Sequence, residues 1–227
     1  MAMRFKARPL IIIILKPEGK PMEMKKMTLE AFCAAASSSE PSPGGGGVAA
    51  LAGALAASLA EMVAQLTAGK KGYEAVGDEM AALIPEAAAL RAELLDQITR
   101  DGASFSAYIA ALTLPKNTDE EKELRRQAMQ EALKTAAEAP LDIAETAAKI
   151  MPIAAVMVQK GNANTITDGM ISAMMTRAAV LSALVNVKIN LGLIKDAPYV
   201  TQMKERVRRL ETDVVNAEAN VLAAAPF

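Results

Sequence analysis

From Gly47 to Leu66 the chain is built almost wholly of Gly, Ala, Leu and Val, with Glu61 as its single charge. A stretch so poor in charge has to be covered on most sides. It is long enough to span a bilayer, but Ala and Gly gain little in lipid and Glu61 interrupts it. Larger apolar residues recur at Val48, Leu51, Leu55, Leu59, Met62 and Leu66, a heptad-like spacing that predicts a packed seam. The small residues Gly53, Ala57, Ala60 and Ala64 share one side, so a neighbouring backbone can approach closely. The stretch therefore reads as a buried helix of a soluble bundle, without a membrane span.

The rest of the chain agrees. Met27 to Ser37 suits a short first helix, and Ser37 to Gly47 is a Ser/Pro/Gly loop. A helix from about Tyr73 to Arg100 contains Pro85, which predicts a kink. Asp101-Gly102 interrupts the pattern, and a short helix to Leu112 is expected beyond it. Thr118 to Glu121 is a capping box that opens a helix to about Glu138. Pro140 fits the first turn of another helix, with Asp142 and Glu145 near its positive end. Gly161 to Asn164 ends that one. Thr165 then caps a helix to about Leu191, and Pro198 starts the last, reaching about Ala224. No strand pattern occurs after residue 20, so the expected fold is all-α, a bundle of five to six main helices.

Residues 1–22 differ in composition and read as an N-terminal extension, with 23–227 as the helical domain. Leu10 to Leu15 is too short for the apolar core of a signal peptide, and Lys16-Pro17 closes it. Its isoleucines suit a short strand, or an arm that sticks to a neighbour.

Of the 227 residues none is His, one is Cys and none is Trp. Without His there is no Ser-His-Asp or Cys-His nucleophile pair and no His/Cys zinc site within one chain. The lone Cys33 excludes an intrachain disulfide, suits the cytoplasm, and reads as a small buried residue. A net charge of −1 gives no broad field for nucleic acid. Any catalysis falls to Asp, Glu, Lys, Asn, Ser and backbone amides.

Four clusters carry polar chemistry. Gly44 to Gly47 lacks the Gly-Lys-Ser/Thr ending of a phosphate-binding loop, and no βαβ unit surrounds it. What remains is a set of free amides at a helix N-terminus, suited to an anion, or simply glycines that permit tight packing. Gly161 to Asp168 (GNANTITD) puts two Asn and a carboxylate at a helix junction, where ligand recognition and ordinary capping compete as explanations. Asn186 and Asn190 are four apart on one face of an apolar helix, although Asn is a poor mid-helix residue. Asp101 and Lys116 flank the 102–112 segment as a candidate base and cation, or as solvated caps. The arginines at 125, 126, 206, 208 and 209 read as exposed faces balanced by Glu.

Taken in order, Pro41-Ser-Pro-Gly-Gly-Gly-Gly-Val-Ala-Ala-Leu-Ala-Gly-Ala-Leu55, Asp101-Gly-Ala-Ser-Phe105, Leu114-Pro-Lys116, Pro140-Leu-Asp-Ile-Ala-Glu145, Gly161 to Asp168 and Asn186-Val-Lys-Ile-Asn-Leu191 resemble the cyclodeaminase/cyclohydrolase family. The likeness spans about residues 27–215. It departs at Gly47, where the family usually has Ser, and at Gly102 and Ser104, in a stretch usually more acidic. The resemblance implies an all-α cytoplasmic homodimer that uses a tetrahydrofolate derivative as substrate, with no metal and no separate cofactor. It also implies that Asp101 or Asp168 transfers protons, and that Lys116 or Lys188 offsets the glutamyl tail or tunes that acid. Asn164, Asn186 and Asn190 would hold the pterin, and Gly44, Gly45 and Gly46 would present amides to an anion. A non-catalytic folate-binding or scaffolding module of the same fold is the alternative.

Overall fold

The computed structural model of the chain describes residues 23–225; the strand or arm expected at Leu10 to Leu15 lies outside them. Seven α-helices follow one another, with no strand among the described residues. They are α1 (Leu29–Ala36), α2 (Gly45–Gln65), α3 (Gly77–Leu112), α4 (Asp119–Ala148), α5 (Ile150–Lys160), α6 (Ile166–Leu191) and α7 (Ala197–Ala223). Apart from the short α1, these are the six main helices of an all-α bundle. Helix α2 is the hub, packed mainly between α3 and α6, with α4 across α3 and α6 and with α7 along α6.

The helix starts follow local chemistry. Thr118 accepts from the Glu121 amide at 3.2 Å while the Glu121 carboxylate accepts from the Thr118 amide, closing the capping box of α4. Thr28 caps α1 and Asp196 caps α7 in the same way, through the amides of Ala31 and Tyr199. Thr165 stands at the start of α6, but its hydroxyl donates backwards to the Asn162 carbonyl at 2.9 Å instead of capping.

Two expected breaks are absent. Helix α3 runs unbroken through Pro85, Asp101 and Gly102. Pro85 deprives the carbonyl of Ala81 of its helical partner, but Ala81 is exposed and water can replace it. Gly102 serves close approach: a side chain there would meet the Ser42 hydroxyl and come within 2.8 Å of Met24 Cε. Helix α4 likewise continues through Pro140, and the carbonyl thereby released on Ala136 accepts a hydrogen bond from Asn190 Nδ2 at 2.6 Å. A tertiary partner has replaced the lost helical bond.

The seam on α2 is also the reverse of the heptad reading. The buried side is the small one, including Gly53, Ala57, Ala60 and Ala64, whereas Val48, Leu55, Met62 and Leu66 remain exposed. A side chain on Gly53 would begin 3.1 Å from Leu94 Cδ1 and 3.4 Å from Ala147 Cβ, so α2 is held at backbone distance from α3 and α4. The bulk of the core then comes from its neighbours: Leu94 and Ile98 of α3, Leu141 and Ile143 of α4, Leu184 of α6. Each such side chain contributes about 1.5–3 kcal/mol by burial, while exposed ion pairs such as Arg206–Glu145 add at most about 1 kcal/mol. Cys33 is exposed, not buried, because it lies on the outer side of α1, of which only Phe32 is buried.

Candidate active site

Helix α2 begins against a carboxylate. Gly44 is extended at the N-cap, with no side chain to satisfy the first turn, so the amides of that turn are open. Into this end projects Asp101 from the middle of α3. Its carboxylate fills the space that a side chain on Gly46 would need. Burial pushes the Asp101 carboxyl above the ordinary aspartate range, and the nearby Gly47 amide pulls weakly the other way. The glycine amides therefore face the chain's own acid, where the sequence suggested a ligand's anion.

Around this pair lies a cleft lined by Pro41, Ser42 and Gly44 to Gly46 of the loop and helix start, by Asp101, Gly102, Ser104 and Phe105 of α3, by Ala136 of α4, and by Asn186, Ile189 and Asn190 of α6. Gly45 faces the Asn186 side chain, whose atoms would lie 3.4 Å from a Cβ at that position. Asn186 donates to the Ser182 carbonyl at 3.0 Å, a bond within its own helix that leaves the amide oxygen unengaged by it. Asn190 is tied to Ala136 as described and lines the same cleft. Two residues that the motif reading had not singled out as site members, Ser42 and Phe105, also line it. Their signal was in the sequence, since both flank the motifs that carry Gly44 and Asp101.

Thus the fold brings together Gly44, Gly45, Gly46, Asp101, Asn186 and Asn190. The other candidates lie elsewhere. Lys116 is exposed in the turn between α3 and α4. Lys188 sits between Asn186 and Asn190 in sequence but two residues turn it to the far side of α6, where it pairs with Glu211 of α7. Asn164 and Asp168 lie at the start of α6, so Asp168 is 18 residues from Asn186, roughly 27 Å along the helix. Their cluster is stitched to the end of α2: Asn162 donates to the Leu66 carbonyl at 3.2 Å, and its amide donates to Thr67 Oγ1 at 2.9 Å. Asn164 itself is exposed.

Chemically the cleft offers one acid able to hold and release a proton, polar amide side chains, and backbone donors at the positive end of a helix. Among the described residues no cluster of three His, Cys, Asp or Glu side chains has metal-site geometry.

Comparison with known proteins adds a family. Residues 28–209 match the model for formiminotransferase-cyclodeaminase. The chain is 38% identical to methenyltetrahydrofolate cyclohydrolase of Methylorubrum extorquens, over 85% of this chain and 91% of that protein. It is 34% identical to formimidoyltransferase-cyclodeaminase of Rattus norvegicus, over 97% of this chain but only 41% of that longer protein. The crystal structure of formiminotetrahydrofolate cyclodeaminase from Thermotoga maritima superposes with a TM-score of 0.79 at 30% identity, covering 88% of this chain and 96% of that one. The chain belongs to the formiminotransferase-cyclodeaminase family.

Proposed function

We propose that this protein is a folate one-carbon enzyme, a methenyltetrahydrofolate cyclohydrolase, with the cleft around Asp101 as its active site. The observation that carries the proposal is the position of the half-buried Asp101, its proton affinity raised by desolvation, between the start of α2 and the amides of Asn186 and Asn190. Hydrolysis of a methenyl bridge needs one proton taken from water as it adds to the bridging carbon. It then needs one given to N5 as the C–N5 bond breaks, while the hydroxyl on the bridging carbon releases its own proton to water and closes to the formyl C=O on N10. A single carboxyl whose affinity for a proton is raised by burial suits both transfers. The Asn side chains, each both donor and acceptor, match a pterin edge. The higher identity to the cyclohydrolase, 38% over 91% of that protein against 30% for the Thermotoga maritima protein, favours this direction.

Cyclodeamination is the second reading, favoured by the likeness to the Thermotoga maritima protein. There N10 attacks the formimino carbon and ammonia leaves, again through a tetrahedral carbon and two proton transfers. Neither direction draws on a metal or a separate cofactor. The enzyme is read as a cytoplasmic homodimer, and the apolar residues left exposed on α2 and α6 support the pairing.

The test is to add methenyltetrahydrofolate and follow loss of its near-ultraviolet band. Acceleration over the buffer rate is expected, and its absence would overturn the cyclohydrolase reading. Ammonia release from the formimino substrate would establish the second reading. Tight folate binding with neither reaction would mark a non-catalytic module.

A further inference from the structure

Met24-Lys25-Lys26-Met27 places two apolar residues three apart, with lysines between them. The segment folds as one turn of 3₁₀ helix over Met24–Lys26, closed by the Met27 amide donating to the Met24 carbonyl at 3.1 Å. Side chains three apart in such a turn lie over one another, so both methionines point the same way. Both are partly buried against the core, while the two lysines stay exposed. Lys25 pairs with Asp96 of α3, which sets the turn along that helix. The ion pair is exposed and adds little, so the hold comes from the methionines.

Met24 extends along α3 to the level of Gly102, six residues beyond Asp96. The first atom of a side chain on Gly102 would come within 2.8 Å of Met24 Cε and would also meet the Ser42 hydroxyl. Ser42 Oγ in turn donates to Met24 Sδ at 3.5 Å. Gly102 and Ser42 line the cleft, whereas Met24 is not among the lining residues. Just after Ser42 the chain enters the first turn of α2, where Gly46 packs on the carboxylate of Asp101, the neighbour of Gly102. The turn thus presses the 41–44 loop onto α3 at the one place where α3 offers no side chain to hold it off. The support of the cleft begins ahead of residues 28–209, over which the family model matches.

We propose that Met24 is a positioning residue for the reaction: through Ser42 and Gly102 it holds the 41–44 loop on α3, fixes the start of α2 against Asp101, and keeps water from that edge of the carboxyl. It lies outside the cleft, so its effect falls on kcat and not on substrate binding. This rests on the cleft being the folate site.

Steady-state hydrolysis of methenyltetrahydrofolate across pH tests the role, with the buffer rate subtracted at each pH. Burial is the first cause of the raised proton affinity of Asp101, and no charged side chain among the described residues contributes to it. Water admitted at the Gly102 edge therefore lowers that affinity, and a displaced carboxyl slows the chemical step. Met24→Ala should lose about fivefold or more in kcat with KM within about twofold of the parent. The pH limb that Asp101→Asn abolishes should move to lower pH in the same variant. Met24→Leu, which keeps the bulk over Gly102, should restore both. Gly102→Ala should reproduce the loss from the other side, because its methyl displaces Met24 and Ser42 while Ala keeps α3 helical. If circular dichroism shows that Met24→Ala does not fold, Gly102→Ala decides in its place. An unchanged kcat and pH limb in the deciding variant overturns the proposal, as does a Met24→Leu as slow as Met24→Ala. Full rate in Asp101→Asn refutes the cleft reading and the role of Met24 with it. An impaired Asp101→Asn beside an intact Met24→Ala refutes the role of Met24 alone.

Discussion

The carboxylate of Asp101 occupies the volume that any side chain on Gly46 would require. Substituting Gly46 therefore acts on the acid before it acts on the fold. Asp101 is short and can swing aside, and Ala gains up to about 1 kcal/mol over Gly within a helix. Gly46→Ala is expected to fold with a stability within about 1 kcal/mol of the parent, yet to lose at least tenfold in rate, about 1.4 kcal/mol of barrier. Urea denaturation beside steady-state kinetics checks both. A variant that is fully active would mean that the position of Asp101 is not critical.

Asp101 also ties stability to pH. Burial raises its folded-state pKa above the unfolded aspartate value, so the folded chain binds this proton more tightly. The favourable contribution is complete below the unfolded pKa and is lost as pH rises through the raised one. Above that window the ionised, desolvated carboxylate weakens the fold. Asp101→Asn should thus melt above the parent at pH 7.5 and approach it at pH 4, at the expense of catalysis. If the variant melted below the parent at pH 7.5, the raised pKa would be refuted.

These two residues show what the sequence alone can and cannot tell. The glycine run, the Asn186/Asn190 spacing and the aspartate were each visible as polar chemistry in an apolar chain. The capping box at Thr118 was visible because capping is local, whereas the caps at Thr28 and Asp196 went unread and the one expected at Thr165 is absent. Asp101-Gly102 and Pro140 misled because their local tendency to end a helix is outweighed by tertiary partners: the loop packed on Gly102, and Asn190 on the Ala136 carbonyl. The α2 seam misled for a related reason. Periodicity says that a helix has an apolar stripe, but not whether the chain itself or a neighbour covers it. On α2 the small residues face inward, while Val48, Leu55, Met62 and Leu66 stay exposed. That Lys188 turns away from the asparagines beside it follows from helix geometry once the helix is granted, whereas the meeting of α3 with the start of α2 is a tertiary fact with no local signal.

Gly53 carries a second steric prediction. A methyl there would lie 3.1 Å from Leu94 Cδ1, so Gly53→Ala sets a tight contact against a helix-propensity gain of up to about 1 kcal/mol. The two nearly offset, and a change within about 1 kcal/mol is expected. Gly53→Leu has no such balance. It must push α2 away from both Leu94 and Ala147, and should cost about 3 kcal/mol or more. Urea midpoints for the pair test this, and a Leu variant as stable as the Ala variant would show that the helices can part freely.

Asn190 and Pro140 should be energetically coupled through a carbonyl that neither owns. Pro140 has no N–H for the Ala136 oxygen, and Asn190 Nδ2 takes its place at 2.6 Å in a part-buried position. Removing the amide with Asn190→Ala leaves that oxygen unpaired, at a cost of about 1–3 kcal/mol. In a chain already carrying Pro140→Ala, the new backbone N–H can reach Ala136 from within α4, so the same Asn190→Ala change should cost markedly less. A double-mutant cycle by urea denaturation measures the difference, expected at about 1 kcal/mol in the direction of rescue. A coupling of zero would show that Asn190 does not stabilise the proline-bearing helix. Any loss of rate in Asn190→Ala would then belong to the ligand alone, which makes the cycle a way to divide the structural role of this side chain from its role in the cleft.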